Sequence, residues 1–233
     1  MTVATDWLIE IPIEEVFQAQ QTDMARIRER RPELYEVTVQ ATRDALVALR
    51  PVAIYQPRKI VSLERSGIHL EGGLQLSGRF AAKRFGAAEE IIAAVCTIGD
   101  GVEKLASRAM ADGHAAYGYA LDTAGCVALN RLISQVYRQL EEQADRAGKK
   151  VTSRFGPGTH SWPVMVGQPQ IFAILTESAP FVHLTARMQM LPVKSGSFVV
   201  GVGEHVTRQG SECDDCDARE RCSFRELYVA ANS

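Results

Sequence analysis

Arg154 to Pro163 reads RFGPGTHSWP: one cation, two glycines flanking a proline, and a closing Trp-Pro step. An arginine fork matches a carboxylate with two parallel hydrogen bonds, and glycines let backbone N–H and C=O groups reach a ligand without side-chain interference. Arg154, Gly156 and Gly158 can therefore hold a small zwitterion, although an ordered surface loop with a salt-bridged arginine uses the same residue types. The second chemical set is Cys213, Cys216 and Cys222, spaced C-x2-C-x5-C. Such thiolates can grip one metal from a tight turn, and three convergent soft ligands suit zinc or an iron–sulfur cluster. A fourth ligand would come from His205, Asp214, Asp217, a distant cysteine or a partner, or a three-cysteine cluster would keep an open iron; free surface thiols are the alternative. Cys96 and Cys126 lie in apolar stretches and read as small packed hydrophobes.

The elements that must position these groups follow from hydrophobic period. Ile13 to Arg30 is charged and helix-prone, and Pro32 stops it because proline removes a helical hydrogen bond and clashes. This predicts an N-terminal helical arm over 1–32. Leu34, Val37, Ala41, Ala45 and Leu49 then recur at three- and four-residue steps, predicting a helix that ends near Pro51. Short β-favouring runs follow at Val52 to Tyr55, Lys59 to Leu63 and Gly67 to Leu70, and Glu90 to Gly99 reads as a buried strand. Leu121, Ala124, Ala128, Leu132, Val136 and Leu140 share one face of the longest predicted helix. Its first half, AAYGYALDTAG, is rich in small residues that permit close packing. Ser153 to Gln168 is predicted as a loop, followed by an apolar segment around Ile171 to Leu175 and a strand at Ser197 to Val202. An α+β domain over 33–205 and a cysteine-containing tail over 206–233 complete the organisation.

Composition bounds the function. An apolar content of 46% against 23% charge and a net charge of -2 supports a full core rather than disorder. The balanced charge and pI of about 6.2 lack the basic excess of a nucleic-acid binder. No basic region precedes an apolar run at the N-terminus, and no window approaches the roughly 18 uninterrupted apolar residues of a membrane span. A soluble cytoplasmic protein with reduced thiols is expected, with neither nucleic acid nor membrane among its partners.

The order Arg, two residues, Pro-Gly, three residues, Trp-Pro resembles the loop of the activation domain of cobalamin-dependent methionine synthase, and more closely the small stand-alone relatives of that domain. The resemblance implies that Arg154 grips the carboxylate of S-adenosylmethionine while Gly156, Pro157, Gly158 and Thr159 present backbone to it. The family usually has tyrosine where Thr159 stands. Two further stretches are similar. Leu184 to Gly201, LTARMQMLPVKSGSFVVG, resembles a family segment of Leu-Thr-Glu-Ser, methionines, Pro and Lys-Ser, with Ala186 and Arg187 in place of Glu-Ser. Leu175-Thr176-Glu177-Ser178 reproduces that tetrapeptide nine residues too early. YALDTAGCVALNRL resembles a family helix with glutamate eight positions after the aspartate, where this chain has Asn130.

The resemblance implies an α+β fold with a twisted, mostly antiparallel sheet and packed helices. It also implies a function: binding S-adenosylmethionine and supporting the reductive methylation of inactive cobalamin in a methyltransferase system. Asp112-Gly113-His114 approaches the Asp-x-His-x-x-Gly signature of cobalamin binders, but Tyr117 occupies the glycine position. Asp112 reads instead as a helix-start residue with a solvent-facing His114. The cobalamin is therefore expected on a separate corrinoid-binding partner. Small relatives of the domain also tend to end in a cysteine cluster, which favours a metal over free thiols at Cys213, Cys216 and Cys222; an iron–sulfur cluster is preferred to zinc because a cobalamin that must be reduced calls for an electron donor. Two alternatives follow: an iron–sulfur redox protein that delivers an electron to a corrinoid protein, and a ligand-free docking module.

Overall fold

A computed structural model describes residues 1–78, 80–176, 178, 180–207 and 219–222. β1 (Thr2–Ala4) is followed by α1 (Ile13–Ala19) and α2 (Met24–Arg30), so the single helix expected over this stretch is two. Gln21, at φ 55, turns the chain between them. Asp23 then starts α2 by accepting from the Arg26 N–H at 2.9 Å, satisfying a donor the first turn would leave open. The N-terminal segment also buries Ile9, Ile11, Val16 and Phe17. α3 (Pro32–Ala48) carries its proline in the first turn, where no N–H is needed, and buries Ala41 and Ala45 while Leu34 stays exposed.

β2 (Val52–Glu64) is one strand of 13 residues where two short ones were expected. It runs through Pro57 because its pairing with β1 ends at Tyr55 and its pairing with β3 (Gly67–Leu70) begins at Ile60. The proline thus sits where that edge of β2 has no partner to lose. β4 (Leu74–Ser77), α4 (Phe80–Phe85), β5 (Glu90–Thr97), α5 (Gly101–Ala111) and the 32-residue α6 (Ala115–Arg146) follow. β6 (Lys150–Val151), α7 (Val164–Ile174), the small hairpin of β7 (His183–Leu184) and β8 (Met190–Leu191), and β9 (Ser195–Gly203) complete the order.

Seven strands form one antiparallel sheet in the order β4-β3-β2-β5-β9-β6, with β1 beside β2. The architecture is the expected α+β one. Successive residues of a strand face opposite sides. Ala94, Cys96, Phe198 and Val200 face a core shared with α3, α5 and α6. Ile91, Ala93, Val95 and Val199 face a second core that takes in Phe80, Phe85, Phe155, Trp162, Ile171 and Ile174. All six residues predicted for the apolar face of α6 are buried. Its small residues serve close approach: a Cβ at Gly125 would stand 3.0 Å from Val102 and 3.4 Å from the Lys194 side chain. Among the described residues, no helix is long and apolar enough to cross a membrane.

Tyr117 at the start of α6 donates to Asp44 of α3 at 2.5 Å. Burial, and then the hydrogen bond and charge of Asp44, push its phenol from 10.0 up to about 12. A raised folded pKa means stability fully present below the unfolded value and lost as pH climbs through the folded one. Unfolding free energy should therefore fall between pH 10.0 and about 12. In Asp44→Asn that loss should be smaller and end at lower pH, as read by denaturant titration alongside the ultraviolet phenolate band.

Candidate functional site

Beyond β6 the chain continues as an edge beside β9. The Thr152 N–H donates to the Gly201 carbonyl at 2.9 Å, and Phe155 exchanges hydrogen bonds with Val199 at 2.9 and 2.8 Å. Phe155 points into the second core, so its neighbour Arg154 takes the α6 side of the sheet. Arg154 is only 3% exposed. Its charge reaches Cys96 on β5, whose thiol burial pushes up to about 12 while Arg154 pulls the other way.

The loop then folds on itself. Gly158, at φ +118 in a region that L side chains avoid, donates its N–H to the Trp162 carbonyl at 2.9 Å. The Trp162 N–H donates back to the Thr159 carbonyl at 3.1 Å and lies 3.2 Å from its Oγ1. Thr159 is buried, and its hydroxyl also meets Ser161 at 3.2 Å. Trp162 anchors the turn. It stacks on Phe155 at 5.8 Å and leans on Phe80 at 4.8 Å. Its indole N–H donates to Gln170 Oε1, 3.2 Å away, which also accepts from the Ser77 N–H at 3.0 Å. Gly156 and Pro157 are half-buried, and Gly158 is exposed.

The predicted loop ends earlier than expected, because α7 begins at Val164 rather than beyond Gln168. Gly167 and Pro169 hide this helix in the sequence, but tertiary contacts hold it: Gln168 is buried and accepts from the Ser197 hydroxyl at 3.0 Å.

The two other family-like stretches meet at Lys194. The Ser195 hydroxyl donates to the Pro192 carbonyl at 2.7 Å and meets the Thr97 hydroxyl at 2.9 Å, while the Val193 N–H donates to Glu103 at 2.7 Å. The turn so held sends Lys194, 7% exposed, against α6. Its Nζ lies 2.7 Å from Asp122 Oδ1 and 2.9 Å from Cys126 Sγ. Burial pulls the ammonium pKa down, but Cys126 and Asp122 outweigh it and hold the group above its ordinary value. Cys126 is thus half-exposed beside a cation, not the packed hydrophobe its apolar sequence neighbours suggest. Lys194 was missed in the sequence as a site residue, although its place in the Pro-x-Lys-Ser element was a usable signal.

The remaining expected groups lie elsewhere. Asn130 is half-buried one turn beyond Cys126, and Ala186 and Arg187 are exposed in the β7–β8 turn. Asp112 closes α5 rather than starting a helix, pairing with Arg108 at 3.8 Å, and His114 is exposed as expected. Cys96 is fully buried, as its apolar surroundings predict. Cys222 is exposed, while Cys213, Cys216, Asp214 and Asp217 lie outside the described residues. Among the described residues, no group of three or more His, Cys, Asp or Glu side chains is placed to hold a metal.

No family model matches the chain, and no curated protein matches its sequence. Solved structures do match. The chain is similar to the crystal structure of the MetH reactivation domain bound to AdoHcy, with a TM-score of 0.62 and 16% identity over 100% of this chain and 90% of that one. The chain shares that domain's fold. Within this reactivation-domain fold, Arg154 comes from the β6–α7 connection, and Lys194 from the turn before β9.

Gln170 accepts from two part-buried donors at once, so its loss should loosen the loop. Gln170→Ala is expected to cost about 1–2 kcal/mol in urea unfolding, from the net worth of roughly 0.5–1.5 kcal/mol per hydrogen bond, with Gln170→Glu retaining most of the stability.

Proposed function

We propose that this chain binds S-adenosylmethionine and serves as a reactivation partner of a cobalamin-dependent methyltransferase of the methionine synthase type. It would support the reductive methylation of cobalamin carried by a separate corrinoid protein. The observation that carries the reading is Arg154: a nearly fully buried cation on a pinned glycine-containing loop, in a fold similar to a reactivation domain bound to AdoHcy.

Arg154 offers its fork to the ligand carboxylate. Gly156, Pro157 and Gly158 offer backbone with little side-chain bulk. Thr159 has no ring to lay on the ligand, and its hydroxyl already meets Trp162 and Ser161, so it too acts through backbone. Asn130 can hydrogen-bond but carries no charge. A cobalamin on the partner would supply the nucleophile as reduced cobalt, so no side-chain base would be required and this chain's residues would align the ligand.

Calorimetry tests the reading. S-adenosylmethionine and AdoHcy should both bind, and Arg154→Lys, which keeps the charge but loses the bidentate fork, should weaken binding roughly tenfold, about 1.4 kcal/mol. Absence of heat at millimolar ligand, or equal affinity in Arg154→Lys, would sink it.

The spacing of Cys213, Cys216 and Cys222 favours a second reading, an iron–sulfur protein that delivers an electron to the corrinoid partner. Protein purified without oxygen should then show broad visible absorbance that Cys213→Ala abolishes. A colourless protein with stoichiometric zinc removes the redox proposal.

A further inference from the structure

Given the carboxylate role proposed above for Arg154, we infer that Tyr137 and Thr152 are its positioning residues, acting through a β-bulge that turns the arginine toward α6. Val151 pairs with Val202 and Phe155 with Val199, so Thr152, Ser153 and Arg154 stand opposite Val200 and Gly201 alone. The edge therefore carries an extra residue. Such a bulge interrupts the alternation of side chains and re-aims those beyond it. The packing records the interruption. Val151 lies in the core shared with α6, whereas Phe155, an even number of residues later, lies in the aromatic core on the other side. An unbroken strand would put both on the α6 side and send Arg154 to the aromatic one.

Thr152 makes the bulge, and Tyr137 holds it. The Thr152 N–H donates to the Gly201 carbonyl at 2.9 Å, but the Gly201 N–H donates back to the Thr152 hydroxyl, also at 2.9 Å. A side-chain oxygen thus stands in for the backbone one. The Thr152 carbonyl is left to α6, where the Tyr137 hydroxyl donates to it at 3.0 Å. The Thr152 hydroxyl in turn donates to the Ser153 carbonyl at 3.0 Å, which fixes the chain as it enters Arg154. Gly201 permits the approach, since a Cβ there would stand 3.2 Å from the Thr152 methyl. Tyr137 and Thr152 are 2% and 4% exposed, so the strut between helix and bulge is closed to water, which would otherwise compete for the same carbonyl.

Calorimetry with a pair of ligands separates positioning from general support of the fold. Decarboxylated S-adenosylmethionine keeps the nucleoside, the sulfonium and the amine, but gives Arg154 nothing to grip. Wild type should prefer S-adenosylmethionine over it roughly tenfold or more, as a charge-assisted bidentate pair allows. Tyr137→Phe should lower that preference below about threefold while leaving the affinity for the decarboxylated ligand in place. Tyr55→Phe, which removes the hydroxyl that meets Gln139 of the same helix at 3.2 Å, should keep the full preference. A wild type without preference overturns the Arg154 reading and the bulge's role with it. A preference present in wild type and retained in Tyr137→Phe, or lost equally in Tyr55→Phe, overturns the positioning role alone. Should circular dichroism find Tyr137→Phe unfolded, Thr152→Val and Thr152→Ser decide. Valine removes the oxygen that Gly201 meets and should lose the preference, serine should keep it, and equal preference in the two overturns the positioning role as well.

Discussion

Strand β9 bonds on both sides, and nearly every other feature of the molecule depends on it. One edge pairs with β5 from Glu90↔Val202 to Thr97↔Ser195. The other receives β6 and its continuation through Phe155, so the loop of Arg154 leaves the sheet at a fixed place and angle. Because side chains alternate across a strand, a fixed register also fixes faces. Phe155 must enter the aromatic core, and Arg154 must turn to the α6 side. A slip of one residue would exchange them.

The two faces of the sheet are covered by different means. On one, a long helix with small residues in its first half lies close, and Gly125 shows how near the neighbours come. On the other, the cover is assembled from pieces distant in sequence: Phe80, Phe155 and Trp162 meet within 4.8 to 5.8 Å, and Arg84 lies 4.3 Å above the Phe155 ring. Aromatic pairs of this kind add offset or edge contacts to the area they bury. The loop is consequently part of the core, with its tip alone exposed.

Among the described residues the two buried cations, Arg154 and Lys194, sit on the α6 side. Removing a charged group from water is costly unless anions or ligands meet it. Lys194 is met by Asp122 and Cys126, with three hydrogen bonds holding its turn. Backbone hydrogen bonds at the sheet edge and in the turn before β9 fix where these two charges stand.

Much was legible in the chain itself. The three- and four-residue steps of α3 and α6, the apolar run of β5 and the punctuation of the Arg154 loop follow from local pattern, because burial on one face imposes a period on the residues that supply it. Pattern failed where long-range contact overrode local preference. β2 passes through Pro57 because a gap between partners spares it a hydrogen bond, and α7 begins within the Gly- and Pro-bearing stretch because Gln168, Gln170 and Trp162 find partners on other elements. Residue types and spacing alone determined that Arg154 could hold a carboxylate. Only the tertiary structure decided that Lys194, 68 positions along the chain from Cys126, lies against it. No local period records a contact that sheet register and helix packing create.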